Sequence, residues 1–367
     1  MVGVFWISGA LIAYVYAGYP ALLWLWARVR PRRIAPAGPG QHRPAVSIVI
    51  AARNEGSRLA ARIDNLLQLD YPPARRQIIV VSDGSTDDTL AVLDGYRSVV
   101  DVVAVPAGGK ALALNAGVRR ARHDVLVFAD ARQVFAADAL IELTAPLRDR
   151  RIGAVTGELV LEGDSTIADG VGLYWRYEKQ IRRHESAVGS MLGATGAIYA
   201  MRRSLWRPLP ADTILDDVLA PMRAVLAGYR VVFTNRARAF DRTAPDAQAE
   251  ARRKVRTLAG NYQVLWLEPR LLLPWRNPVW LQYVSHKIGR LLVPYALVLI
   301  MAASMALANR SIVYATALLA QCAFYLLAGY GAWLDSRDAR SAVASRINQV
   351  PAWHEGRPVK HAGAANA

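Results

Sequence analysis

Four short apolar runs between residues 46 and 129 constrain this chain more than any other feature. They are 46–51 (VSIVIA), 78–81 (IIVV), 99–105 (VVDVVAV) and 125–129 (VLVFA). A short run that is apolar on both faces marks a strand covered on both sides, as in a parallel sheet between two layers of helices. Segments with helical spacing separate the runs: Leu59, Ile63, Leu66 and Leu67 follow the first, and residues 111–121 precede the fourth. This alternation predicts βαβ units with right-handed crossovers through residue 130.

Three of the runs end in a turn that carries a carboxylate: Glu55, Asp83 and Asp130. Ligands of open α/β sheets gather beyond the carboxyl ends of the strands. One such ending is ordinary, but three among four successive units point to a shared crevice. A carboxylate at Asp83 can meet a nucleotide's ribose or base, or a metal. A helix is expected near 86–96, with Ser85 or Thr86 as its N-cap. The turn 106–110 (PAGGK) leads into the helix 111–121, and Lys110 at that helix start suits an anion. A lone GGK lacks the full phosphate-loop pattern, which excludes an ATPase of that kind.

Further along, a helix is expected at 136–148, an extended segment at 152–161 and a helix at 173–184. The small-residue turn 193–197 (GATGA) precedes a strand at 198–201, where Gly196 lets a ligand approach the backbone. Asp216 and Asp217 open the helix 218–227. Asp216 is placed to cap it, which leaves Asp217 for chemistry. A strand follows at 229–234. Arg252, Arg253, Lys254 and Arg256 then sit on a helix, either as a solvated basic face or to neutralise a pyrophosphate.

The ends of the chain are apolar. Residues 2–26 carry no charge and are long enough to cross a bilayer, with arginines at 28, 30, 32 and 33 just after them. A cleaved signal peptide would be shorter and preceded by positive charge. By the positive-inside rule the N-terminus is outside and the following domain cytoplasmic. Residues 291–308 and 311–334 read as two more spans, and Arg337, Arg340 and Arg346 return the tail to the cytoplasmic side. The net charge is +16. No nucleic-acid module accompanies it, so anionic membrane lipids and nucleotide phosphates account for it better than nucleic acid. The single cysteine, Cys322, excludes a disulfide within the chain, and the six histidines lack zinc-ligand spacing.

The motifs together resemble a membrane-anchored family 2 glycosyltransferase with the GT-A fold, the group that contains cellulose, hyaluronan and poly-N-acetylglucosamine synthases. The resemblance rests on VSIVIAARNE, VVSDGSTDDT, GGKALALNAG, VFADAR, GATGAIYAMRR, LDD and RRKVR, in that order across about residues 46–266. It implies an α/β, Rossmann-like GT-A domain at 46–266, after a transmembrane helix at 1–28 and a linker at 29–45. An interfacial segment at 267–290, two transmembrane helices at 291–334 and a partly disordered tail at 335–367 complete the chain. It implies that Glu55 and Asp83 contact the nucleoside of a UDP-sugar, that Lys110 lies near the nucleotide, and that Asp130 holds Mg²⁺ or Mn²⁺. The second acidic position of the metal motif is Arg132 here. Asp217 becomes the general base of an inverting transfer to a lipid-linked or polysaccharide acceptor. Gly196, Asp216, Arg253, Lys254 and Arg256 fall in the acceptor and pyrophosphate region. Arg253 and Thr257 replace the Gln and Trp of the processive synthases' basic motif, so single transfer is expected rather than polymer synthesis.

Overall fold

The computed structural model describes residues 1–32, 43–162, 168–242 and 247–348. Trp6–Val298 form one compact unit, and Met1–Phe5 with Leu299–Ala367 form another. Most of the expected linker, and the end of the chain expected to be disordered, lie outside the described residues.

An eight-stranded sheet runs through the larger unit in the order β3-β2-β1-β4-β7-β6-β8-β5. The strands are β1 (Val46–Ala52), β2 (Arg76–Asp83), β3 (Asp101–Val105), β4 (Val125–Ala129), β5 (Val134–Phe135), β6 (Ile152–Glu162), β7 (Ile198–Arg202) and β8 (Arg230–Arg242). The first four are mutually parallel, as the alternation predicts. The sheet as a whole is mixed, because β7 runs antiparallel to both β4 and β6.

Burial explains why β1 is so apolar. Ile48 and Ile50 point into the core on one face, with Leu59, Ile63 and Leu66 of the helix Gly56–Leu67. Val49 points into the core on the other, with Leu114 of the helix Lys110–Arg120. Side chains alternate across a strand, so a strand covered on both faces must be apolar at every position. Each such side chain contributes about 1.5–3 kcal/mol by leaving water.

Two expectations about the strands and the helix after β2 change. The helix after β2 starts at Thr89 rather than Thr86. Neither Ser85 nor Thr86 caps it; the carboxylate of Asp87 instead accepts hydrogen bonds from the Thr89 N–H (3.0 Å) and from the Gly56 N–H (3.1 Å), stitching two loops together. The last long strand is also longer than 229–234. β8 extends to Arg242 because β6 continues alongside it past a register shift.

Three helices are long and apolar enough to cross a membrane: Val2–Val29, Trp280–Leu307 and Ile312–Gly331. On the last, Ile312, Leu319, Phe324, Leu326 and Leu327 are exposed, which suits lipid rather than water as the solvent. The second begins at Trp280, inside the segment expected to lie on the interface. Within that segment His286 and Arg290 pair with Glu185 and Glu178 of the helix Ala168–Val188. Partners distant in sequence make such charges tolerable in an apolar helix.

Candidate active site

The register gathers the carboxylates at one edge. Ala52 of β1 lies opposite Ser82 of β2, and Ile50 lies opposite Ala129 of β4. Asp83 and Asp130 therefore emerge on either side of the end of β1. Because β7 is antiparallel to β4, Ile198 pairs with Ala129, and the turn that precedes β7 reaches the same edge. That turn carries Gly196.

Asp83 is almost fully buried. Its carboxylate accepts hydrogen bonds from the Gly108 N–H (2.7 Å) and the Gly109 N–H (3.0 Å). It thus fixes the turn that aims Lys110 into the crevice. Gly84 beside it has φ +59°, and a Cβ there would fall 2.6 Å from the backbone nitrogen of Ala107. Only glycine fits such a turn without strain.

Lys110 is the centre of the cluster. Its ammonium lies 3.0 Å from Asp130 Oδ1 and 3.5 Å from Asp216 Oδ2. Burial works against its charge, but Asp216, Asp130 and Asp217 more than offset this and hold its pKa above the ordinary lysine value. Asp216 is buried. Burial raises its carboxyl, Lys110 opposes, Asp217 and Asp130 push further, and the pKa reaches about 6. An acid raised on folding contributes stability that is fully present below its unfolded value of 3.8 and lost as pH rises through about 6. The melting temperature of the detergent-solubilised protein should therefore fall across that window, and an Asp216→Asn variant should show a flatter profile. Equal slopes would show that Asp216 does not titrate there.

Asp217 lies in the first turn of the helix Asp216–Leu226. Its Oδ2 accepts a hydrogen bond from the Gly196 N–H (3.0 Å), and its carbonyl accepts one from the Ala194 N–H (2.7 Å). Its other carboxylate oxygen has no hydrogen-bond partner among the described residues. A Cβ on Gly196 would lie 3.1 Å from Oδ2, so glycine leaves room for that bond.

The remaining expected residues are placed less centrally. Glu55 precedes the helix Gly56–Leu67 at the mouth of the crevice and pairs with Arg58 at 3.1 Å. Arg253, Lys254 and Arg256 lie on the exposed side of the helix Ala247–Leu267, which is anchored where Gly260 packs on Leu215. Arg132 pairs with Asp241 at 2.9 Å. Two further residues belong to the site's frame. Asp87 was visible in the motif only as one of several acidic residues. Tyr199 stacks on Phe128 with ring centroids 4.7 Å apart, and its buried hydroxyl has no hydrogen-bond partner among the described residues. Burial, then the charges of Asp216, Asp217 and Asp130, push that hydroxyl well above the ordinary tyrosine range. On the strand it reads simply as an apolar position.

Among the described residues no group of three or more His, Cys, Asp or Glu could hold a metal on its own. The donor set still fits a hard cation. The Asp130 carboxylate is about one-third exposed, with one oxygen on Lys110. Mg²⁺ commonly binds through one or two carboxylates together with substrate phosphates.

A mixed sheet of this order, with acidic turns at one edge, has the GT-A architecture of glycosyltransferases. The chain belongs to the glycosyltransferase-like family 2, whose model matches residues 43–260. It is similar to poly-β-1,6-N-acetyl-D-glucosamine synthases of Staphylococcus epidermidis (24% identical over 229 residues) and Staphylococcus aureus strain COL (25% over 232 residues). Each match covers 60% of this chain and 55% of the relative, so the chain spans about half the length of these curated relatives. Among solved structures, the mannosyltransferase PcManGT of Pyrobaculum calidifontis, in complex with GDP-Man and Mn²⁺, shares the fold. Its TM-score is 0.69 at 23% identity, over 94% of this chain and 99% of that one.

Proposed function

We propose that this chain is an inverting, metal-dependent glycosyltransferase that moves a sugar from a nucleotide-sugar donor to a lipid-linked or polysaccharide acceptor. The donor is UDP-linked in this reading. Residues 46–266 form the catalytic domain on the cytoplasmic side of the inner (plasma) membrane, which the apolar helices cross. The observation that carries the reading is Asp217: one carboxylate oxygen is fixed by a backbone N–H and the other is open, beside the Lys110, Asp130 and Asp216 cluster.

The chemistry follows from those groups. Asp217 accepts the proton of the acceptor hydroxyl as its oxygen attacks the anomeric carbon. The bond from that carbon to the pyrophosphate breaks, and the nucleoside diphosphate leaves. Lys110 lies where it can stabilise the charge that develops on the leaving group. Mg²⁺ or Mn²⁺, held by Asp130 and the donor phosphates, would supply further neutralisation there. Asp83 and Glu55 border the space for the nucleoside. Arg253, Lys254 and Arg256 add positive potential that draws an anionic donor inward.

The test is release of nucleoside diphosphate from a panel of nucleotide sugars by purified membranes, with Mg²⁺ or Mn²⁺ and with chelator. Release should need the metal, and an Asp130→Asn variant should lose at least tenfold and require more metal. Chelator-resistant release by the wild type would remove Asp130 from this role. The name of the staphylococcal relatives favours a second reading, processive polymer synthesis. The replacement of Trp by Thr257 favours single transfer, and product length decides between the two.

A further inference from the structure

Where the first apolar helix ends, the chain borders a cavity that the transfer chemistry does not use. Its volume is about 390 Å³, and it opens between Arg32, just past the helix Val2–Val29, the helix Ala168–Val188 and strand β8. Hydrogen bonds fix its walls. The Arg32 N–H donates to the Ala187 carbonyl at 2.6 Å, which ties the chain leaving the first helix to the end of the other. The Arg230 guanidinium donates to the carbonyls of Arg32 (3.0 Å), Ser186 (2.9 Å) and Gly189 (2.6 Å). The Phe233 N–H donates to the Ser186 hydroxyl oxygen at 2.9 Å, so that hydroxyl keeps its own hydrogen for another acceptor.

The charge around this cavity has one sign. Arg32 and Arg183 line it, and neither guanidinium has a hydrogen bond or ion pair among the described residues. No Asp or Glu lines it. The N-terminal part of the chain cannot bring one, because the first acidic residue of the sequence is Glu55. Arg230 spends its donors on carbonyls rather than carboxylates and adds to the positive potential. Two guanidiniums that share one cavity are a ready fork for a phosphate, which accepts charge-assisted hydrogen bonds from both. Depth selects the source of that phosphate. Arg32 follows directly on an uncharged span whose last turns expose Trp24 and Trp26, the residues that mark the headgroup level. Basic pockets beside spanning helices on the cytoplasmic side suit anionic lipid headgroups.

We propose that this cavity seats the phosphate of an anionic membrane lipid, with Arg32 and Arg183 on its oxygens and Ser186 and Asn235 as neutral donors. Phe233 gives the glycerol carbons an apolar wall. The lipid fastens the first membrane helix to the catalytic domain. The seat is separate from the transfer cluster, since none of Lys110, Asp130, Asp216 and Asp217 lines it. The inference rests on the reading in which the helix Val2–Val29 crosses the membrane, and not on the transfer chemistry.

The experiment uses the full chain purified in dodecyl maltoside and stripped of lipid. It is titrated with phosphatidylglycerol, phosphatidylcholine and glycerol 3-phosphate, and bound molecules are counted by native mass spectrometry. One phosphatidylglycerol should bind about tenfold more tightly than either of the others. Arg32→Gln and Arg183→Gln should each weaken it about tenfold, and Arg183→Lys should keep most of it. Arg30→Gln is the control: Arg30 is exposed and equally charged but lies outside the cavity, so its loss should change affinity less than about twofold. Melting temperatures identify any glutamine variant that fails to fold, and the comparison of Arg183→Lys with Arg30→Gln then carries the test. Equal binding of phosphatidylcholine would overturn the proposal. So would equal binding of glycerol 3-phosphate, which would make the seat one for soluble phosphates. An Arg30→Gln variant weakened as much as Arg183→Gln would also overturn it, because a diffuse basic surface would then account for the binding. Release of the chain from membranes by alkaline carbonate without detergent would instead overturn the membrane reading, and the titration would still report on the cavity.

Discussion

Replacing Asp217 by asparagine should reduce sugar transfer about 10²–10⁴-fold, the usual worth of a positioned general base. The substitution keeps the shape of the side chain, and an amide oxygen can still accept the Gly196 N–H. What it removes is the open, basic oxygen. Affinity for the nucleotide-sugar donor should therefore stay within a few-fold of the wild type, measured by equilibrium binding of the nucleotide. A variant that transfers sugar at the wild-type rate would show that the proton leaves by another route. One that also loses donor binding would show that Asp217 holds the donor rather than the acceptor's proton.

Asp83→Ala should act on the other side of the reaction. The carboxylate accepts N–H bonds from both Gly108 and Gly109, and it is buried, so truncation leaves two backbone donors unpaired. Hydrogen bonds to a charged group are worth about 1.5–3 kcal/mol each. The turn before Lys110 should lose its fixed geometry, and donor KM should rise about 10- to 100-fold, since 1.4 kcal/mol is tenfold. Titrating nucleotide with and without Mn²⁺ checks this. If donor affinity were unchanged and metal dependence abolished, the roles given to Asp83 and Asp130 would have to be exchanged.

Much of the fold could be read from the residues because local pattern and burial agree. Every position of β4 is buried, and every residue of VLVFA is apolar. The second half of β8 could not be read that way. Residues 235–242 (NRARAFDR) alternate arginine with small or aromatic residues, and what makes them a strand is pairing with β6, as in Glu158 opposite Arg238. The antiparallel turn of the sheet at β7 also depends on contacts distant in sequence.

The site divides along the same line. Glu55, Asp83 and Asp130 were legible because strand ends announce themselves. Their bonding was not. Asp83 is tied to the glycines ahead of Lys110, and Arg132 to Asp241, partners that no local pattern connects to them. The ion pairs of the helix that begins at Trp280 were hidden for a related reason. His286 and Arg290 meet Glu185 and Glu178, about a hundred positions earlier, only once the chain is folded.

Transfer in this mechanism is a single displacement assisted by one base, Asp217. The most direct test is the anomeric configuration of the sugar in the product, read by proton NMR after transfer from a donor of known configuration. The product should show inversion. A product with the donor's configuration retained would contradict it, because a single in-line displacement assisted by a base inverts the anomeric centre.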